Sequence, residues 1–177
     1  MLTKNFKRMM SLILERSSAD PKGMLAAVGT DGSTTYYLMN KFDSTNIFPY
    51  AVNYTWRKNY SDPGIVLGSG STAATEDDAR LESIIASGLT VTVTQNSYVR
   101  GGVPCVDYNL AINNTGSAAA TIAEIGFVQN LYAATTSGAT SGSYYRFLLD
   151  RTVLARPVII PAGGTGIIRY TLKTEVS

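Results

Sequence analysis

Four acidic side chains stand close together near the middle of the chain, at Glu76, Asp77, Asp78 and Glu82. Oxygen ligands from a loop of this kind can bind Ca²⁺. The spacing does not match an EF-hand loop, whereas Thr75 followed by Asp78 has the spacing of a helix N-cap. We therefore expect a capped helix start, where the helix dipole favours negative charge, with calcium binding as the alternative.

A second candidate is the segment 68–72, which reads Gly-Ser-Gly-Ser-Thr and superficially resembles a phosphate-binding loop. It lacks the Lys-Ser/Thr ending of a P-loop and the glycine spacing of a dinucleotide fingerprint, and no βαβ pattern surrounds it. We interpret it as a turn.

The third candidate comprises Glu124, Asp150 and Arg151. Two carboxylic acids could act as the acid pair of a glycosidase. An arginine next to them equally suits bidentate pairing with a carboxylate, which would make the set structural. Nothing in the sequence places the two acids face to face.

Most other catalytic chemistry lacks its usual residues. The chain has no histidine, which is the commonest proton shuttle and metal ligand, and a single cysteine, Cys105. A lone cysteine forms neither an intrachain disulfide nor a CxxC metal site, so we expect a buried thiol. The 11 tyrosines and Trp56 could stack on sugars, but aromatic residues are also common in strands and interfaces. We predict no enzymatic activity, no cofactor and no metal.

Composition points to one globular domain in 177 residues. Charged residues make up only 16% and the net charge is +2, so no clustered basic face indicates nucleic acid. A weakly charged surface suits a protein covered by neighbours in an assembly. We predict no secretory signal and no membrane span, because the apolar run 9–14 is short and ends at Glu15-Arg16.

The elements that must position these residues begin with a helix over residues 2–16, where Leu2, Phe6, Met9 and Ile13 recur at a spacing of three to four. This amphipathic helix packs either on its own domain or on a neighbouring subunit. We assign residues 1–22 to an N-terminal helical arm and residues 23–177 to a single β-sandwich domain.

From residue 24 the hydrophobic period becomes two, with turn residues between short runs. Asp31-Gly32 predicts a hairpin turn, and Pro161-Ala162-Gly163-Gly164 predicts another between the last two strands. Residues 133–143 are interpreted as a long surface loop. The pattern predicts an all-β fold, an antiparallel β-sandwich of Greek-key or jelly-roll type.

Residues 64–173 resemble a module of tailed-bacteriophage virion proteins. The resemblance is carried by Glu-Ile-Gly at 124–126, Leu-Leu-Asp-Arg-Thr-Val-Leu at 148–154 and Pro-Val-Ile-Ile-Pro-Ala-Gly-Gly at 157–164, preceded by Gly68-x-Gly70 and Leu81-Glu82. Because the Asp-Arg pair and the glutamate recur in that motif, the resemblance implies a structural ion pair or a clamp on a turn.

The resemblance implies a non-enzymatic structural component of a tailed-phage virion, assembled in the host cytoplasm through symmetric contacts as a homo-oligomer with other virion proteins. We favour a tail-associated position, with capsid decoration as the alternative and a carbohydrate- or receptor-binding module as the alternative of another class. The candidate structural or interface residues are Phe6, Met9, Ile13, Glu124, Gly126, Asp150, Arg151, Pro157 and Pro161.

Overall fold

A computed structural model describes residues 1–7, 25–38, 56–61, 63–136 and 141–173. The described chain is mostly strand, which confirms the all-β class. The strands are β1 (Leu25–Val28), β2 (Thr35–Leu38), β3 (Trp56–Arg57), β4 (Gly64–Gly68), β5 (Leu89–Arg100), β6 (Val103–Asn114), β7 (Ala120–Ala134), β8 (Ser143–Ile160) and β9 (Thr165–Lys173).

The strands form two sheets. The first has the order β1-β2-β7-β4-β3, and β8 pairs with the other edge of β7; the second has the order β5-β6-β9. Strand β3 runs parallel to β4, whereas every other pair is antiparallel. The first sheet is therefore mixed, and the prediction of purely antiparallel pairing is wrong at β3.

Local turn chemistry explains the hairpin of β1 and β2, which confirms the Asp31-Gly32 prediction. Gly32 has a φ of 79°, a left-handed conformation that favours glycine. Asp31 Oδ1 accepts hydrogen bonds from the backbone nitrogens of Ser33 and Thr34, at 3.0 and 2.9 Å. The side chain thus holds the loop closed at the end of β1 and the start of β2.

The Pro-Ala-Gly-Gly turn does not close a hairpin, and this prediction is wrong. Strand β8 pairs with β7 in the first sheet, whereas β9 pairs with β6 in the second, so the turn carries the chain between sheets. Asn114 holds the crossing, because its Nδ2 donates to the carbonyl oxygens of Ile160 and Pro161 at 2.9 and 3.1 Å. Two consecutive strands look alike in sequence whichever sheet each one joins.

One large core contains side chains from both sheets. Ile65 and Phe147 come from the first sheet and Leu110 and Ile112 from the second, and each is at most 2% exposed. A second, smaller hydrophobic cluster is separate from this core and consists of Val66, Leu81, Val128 and Leu148. Since Val66 alternates with Ile65 and Leu67 along β4, the small cluster covers the opposite face of the first sheet. Around β4, β7 and the middle of β8, this sheet is therefore buried on both faces.

The N-terminal segment pairs with β8. Leu2 forms a β-bridge with Asp150, and the helix occupies residues 4–7 of the described chain, so the predicted helical start at residue 2 is wrong. Phe6 is half-buried against the large core. Met9, Ile13 and the rest of the predicted helix lie outside the described residues.

The predicted loop at 133–143 is shorter than expected. Strand β7 continues to Ala134 because Tyr132 and Ala133 still pair with β8, which begins at Ser143. Residues 137–140 lie outside the described part of the chain.

Candidate functional site: the Glu124–Arg151 cluster

Glu124 on β7 and Arg151 on β8 lie next to each other near the middle of the first sheet. Glu124 is 0% exposed and Arg151 is 3% exposed, although both are charged residue types. Arg151 Nε donates to Glu124 Oε2 at 2.8 Å. Buried charges of this kind are costly unless they are paired and hydrogen-bonded, so their other partners decide what the pair does.

The Glu124 carboxylate is fully occupied by donors from the chain. Oε1 accepts from the backbone nitrogens of Gly70 and Ser83, at 3.1 and 2.8 Å. Oε2 accepts from the backbone nitrogen of Glu82 at 3.1 Å as well as from Arg151. These donors fill the approximately four lone-pair sites of an ionised carboxylate. Glu124 therefore ties both ends of the segment 70–83 to β7.

Arg151 binds the same segment with its two terminal nitrogens. Nη1 donates to Asp78 Oδ2 at 2.9 Å, and Nη2 donates to the carbonyl oxygen of Thr72 at 3.1 Å. Glu82 Oε2 lies 3.7 Å from Nη2 and accepts from the backbone nitrogen of Thr72 at 2.8 Å. The guanidinium thus joins the middle of the segment to β8.

The pKa values of Asp78, Glu82 and Arg151 shift toward the charged forms. Burial raises the pKa of Asp78, but hydrogen bonds from Thr75 and Arg151 outweigh burial and lower it below its usual value. The hydrogen bond from the Thr72 backbone lowers the pKa of Glu82. Burial lowers the pKa of Arg151, and the bonds to Asp78 and Glu124 raise it by more.

The acidic stretch forms a turn and not the predicted capped helix. Both the backbone nitrogen and Oγ1 of Thr75 donate to the Asp78 carboxylate, at 2.8 and 3.0 Å, and residues 76 and 77 form a turn. Asp78 is drawn inward to Arg151, whereas Glu76 pairs with Lys7 at the surface. The long-range partner Arg151 accounts for this geometry, which local spacing does not reveal.

The glycines of segment 68–72 make room for the cluster. A Cβ at Gly68 or at Gly70 would lie 2.5 Å from Glu124 Oε1. At Gly68 the Ser83 carbonyl oxygen would also lie only 2.6 Å away. Gly68 ends β4 and residues 69–72 form an irregular loop, so the predicted turn is wrong, and the glycines make room for a buried carboxylate. The sequence offers no signal for this partner, because Glu124 lies more than fifty residues downstream.

Gly126 completes the motif on β7. A Cβ there would lie 2.9 Å from side-chain atoms of Val66, Leu81 and Leu148. These three residues belong to the smaller hydrophobic cluster, so the glycine lets that cluster close over the sheet. In Glu-Ile-Gly, then, Glu124 binds the segment, Ile125 enters the large core and Gly126 leaves space for Leu81.

Asp150 belongs to a separate network that joins the two sheets. The Tyr170 hydroxyl of β9 donates to Asp150 Oδ2, and Thr152 Oγ1 donates to the same oxygen at 3.0 Å. The nitrogen of Met1 lies 3.0 Å from Oδ1. Burial and the nearby carboxylate raise the pKa of Tyr170 well above its usual range. Glu124 lies opposite Val153 and Asp150 opposite Phe127 in the β7–β8 register, and each carboxylate is held by its own set of donors, so they are not arranged as an acid pair.

The remaining candidate residues lie apart from the cluster. Pro157 is exposed on β8, and Pro161 is exposed in the turn that links the sheets. Cys105 is buried, and its thiol donates to the Val103 carbonyl oxygen at 3.5 Å.

Within the described ranges, no group of three or more His, Cys, Asp or Glu side chains has an arrangement that could hold a metal ion. No helix in those ranges is long and apolar enough to cross a membrane. Comparison with known proteins gives no match among protein-family models, curated proteins or solved structures.

Proposed function

We propose that this protein is a non-enzymatic structural component of a tailed-phage virion, assembling with copies of itself and with other virion proteins. The observation that carries the proposal is the Glu124–Arg151 cluster. The residues that resemble the phage module are used to fasten one segment of the chain to a buried sheet. Their carboxylates and guanidinium are directed at other parts of the same chain, which is what an architectural motif requires.

The arrangement of the sheets supports a finer description of the fold. We propose a β-sandwich of Greek-key or jelly-roll type, because the large core contains side chains from β4, β7 and β8 on one side and β6 and β9 on the other. Such two-layer folds are common building blocks of virus particles and of binding domains alike, so the fold does not choose between them.

Strand β5 offers a route to assembly. It is 12 residues long and pairs with β6, and its second edge has no strand partner in the part of the chain that the structure describes. Its exposed positions carry mainly Thr, Asn, Gln and Ser, and it has no proline. Long edges of this kind favour pairing with another chain unless they are protected. Within the particle we favour a tail-associated position over capsid decoration.

Immunogold electron microscopy of particles from the source culture tests the proposal. Antibody raised against the purified chain should label intact particles, at the neck or tail if the position is tail-associated and over the head if it is a decoration protein. Particles without label, in a preparation where antibody to a known capsid protein does label, would overturn the structural role.

A further inference from the structure

Strand β5 has an edge that lacks the usual protection against other chains. It pairs with β6 along all of its 12 residues without a register shift, so no bulge bends the edge away. It contains no proline, and its one charged residue, Arg100, stands at the last position. Proline, bulges and charges are devices that protect an edge, and residues 89–99 have none of them. By contrast, the edge strand β9 carries Arg169 and Lys173.

The second half of β5 is open to solvent. Residues 94–97 are exposed on both faces of the strand, and Val99 is 69% exposed. In the first half, Val91 and Val93 are half-buried against the large core. The strand therefore starts against the core and ends as one side of an exposed hairpin.

The turn after β5 fixes which backbone groups point to the open edge. Gly101 and Gly102 have φ of 59° and 82°, as in a two-residue type I′ turn. Arg100 and Val103 flank this turn opposite each other, so they form a hydrogen-bonded pair. Because such pairs alternate along an antiparallel ladder, the even-numbered residues of β5 bond to β6 and the odd-numbered residues direct their N–H and C=O groups to the open edge. Pro104 agrees with this pattern, since it falls in a pair that is not hydrogen-bonded to β5.

A second copy of this edge matches the first when the two run antiparallel about Gln95. Gln95 then faces its own counterpart, Val93 faces Ser97 of the partner subunit, and Val91 faces Val99 of the partner subunit. Each of these pairs exchanges two hydrogen bonds, which gives about ten across the five pairs of odd-numbered residues from 91 to 99. A typical protein interface carries about ten direct hydrogen bonds, so this edge alone supplies a normal number.

Apolar contact favours this register over its neighbours. The exposed Val99 meets Val91, which is half-buried and still has surface to cover. A shift of two residues one way would place Val99 against Leu89, which is only 5% exposed. A shift the other way would shorten the ladder, because Val91 would then face the turn.

Charge favours the antiparallel direction. The two Arg100 side chains would lie ten residues apart along the ladder, at about 34 Å. This distance is well beyond the Debye length of about 8 Å at physiological ionic strength, so the two charges do not repel each other appreciably. A parallel arrangement in register would bring them side by side.

We propose that two copies of this chain pair through β5, antiparallel and about a two-fold axis at Gln95, so that the two three-stranded sheets become one continuous sheet. Both copies use the same edge, so the contact closes on itself and leaves no open β5 edge for further addition. This inference rests on the proposed assembly role and names the partner as a second copy of the chain.

Analytical ultracentrifugation over a concentration series, with charges introduced at Gln95, tests the proposal. The wild-type chain should dimerise. Gln95→Lys alone and Gln95→Glu alone place like charges opposite each other at the axis, and each should weaken dimerisation by about fivefold. An equimolar mixture of the two variants should restore it, because opposite charges then face each other. Thr165→Lys and Thr165→Glu, at an exposed position on β9, are the matched controls and should leave dimerisation unchanged.

Amide hydrogen exchange identifies the paired surface in the same samples. The amides of Val93, Gln95 and Ser97 should gain protection as the dimer forms. Those of Thr94 and Asn96 already bond to β6, so their exchange should change little.

Three results would overturn the pairing. One is a natively melting wild-type chain that stays monomeric at every concentration. Another is a mixture of the Gln95 variants that dimerises no better than either variant alone. The third is a dimer in which Val93, Gln95 and Ser97 gain no protection. Each would leave the virion role standing, because particle labelling tests that role without reference to β5.

Discussion

At Gly126 the space for a side chain is already filled by Val66, Leu81 and Leu148. Gly126→Ala should therefore destabilise the fold through overpacking, by about 1–3 kcal/mol in the free energy of unfolding. Urea unfolding measures this change directly.

A second substitution separates crowding from a backbone effect. If the methyl group of Gly126→Ala collides with the Leu81 side chain, adding Leu81→Ala should cost less in the alanine variant than in the wild-type chain. Equal costs in both backgrounds would contradict crowding at Leu81, because independent sites give additive changes.

At the scale of elements, the N-terminal segment is hydrogen-bonded to strands β1 and β8 of the first sheet. The Thr3 backbone nitrogen donates to the Leu149 carbonyl oxygen at 3.0 Å, and Asn5 exchanges two hydrogen bonds with the Val28 backbone at 2.8 and 3.2 Å. Thr3 and Asn5 are at most 4% exposed. The described part of the predicted arm thus packs on its own domain.

Asn5→Ala tests how far the fold depends on the hydrogen bonds between Asn5 and the Val28 backbone. The substitution removes two partners of the half-buried Val28 backbone, so we expect a loss of about 1–3 kcal/mol and faster amide exchange along β1. Lys4→Ala is the matched control, because Lys4 pairs with Asp77 at the surface and such pairs contribute little. Equal losses in the two variants would contradict the role assigned to Asn5.

Elements whose structure is set by neighbouring residues could be predicted from the sequence. Elements whose structure is set by residues far along the chain could not. Asp31-Gly32 encodes its own turn, and the alternation along β6 marks Leu110 and Ile112 as core positions. The sheet that β9 joins depends on β6, and the turn at Thr75 depends on Arg151, both of which lie far along the chain. The same reason explains why the resemblance implies a structural ion pair or turn clamp that includes Glu124 and Arg151, while the partners Gly70, Ser83 and Thr72 could not be predicted.

At the scale of the whole molecule, stability should fall in acid. The folded-state pKa values of Asp78 and Asp31 lie below the usual 3.8, so the unfolded chain binds more protons as the pH falls. Their contribution is present above the unfolded pKa and is lost as the pH falls through the folded pKa.

Urea unfolding at pH values between about 6 and 3 measures this effect. We expect the free energy of unfolding to decrease below pH of about 5, and to decrease less steeply in Arg151→Met, which removes a bond that lowers the Asp78 pKa. An unfolding free energy that stays constant or rises toward pH 3 would contradict the assigned shifts.

Hydrogen exchange across the whole chain, measured for the wild type, Arg151→Met and Arg151→Met with Glu124→Gln, tests the central claim most directly. If the cluster is architectural, the single variant should exchange faster in residues 69–83 while β5, β6 and β9 keep their protection. The double variant should recover part of the loss, because the fully buried carboxylate of Glu124 is no longer left without its guanidinium partner. Unchanged exchange in residues 69–83 of a folded Arg151→Met chain would contradict the claim that these charges hold the segment to the sheet.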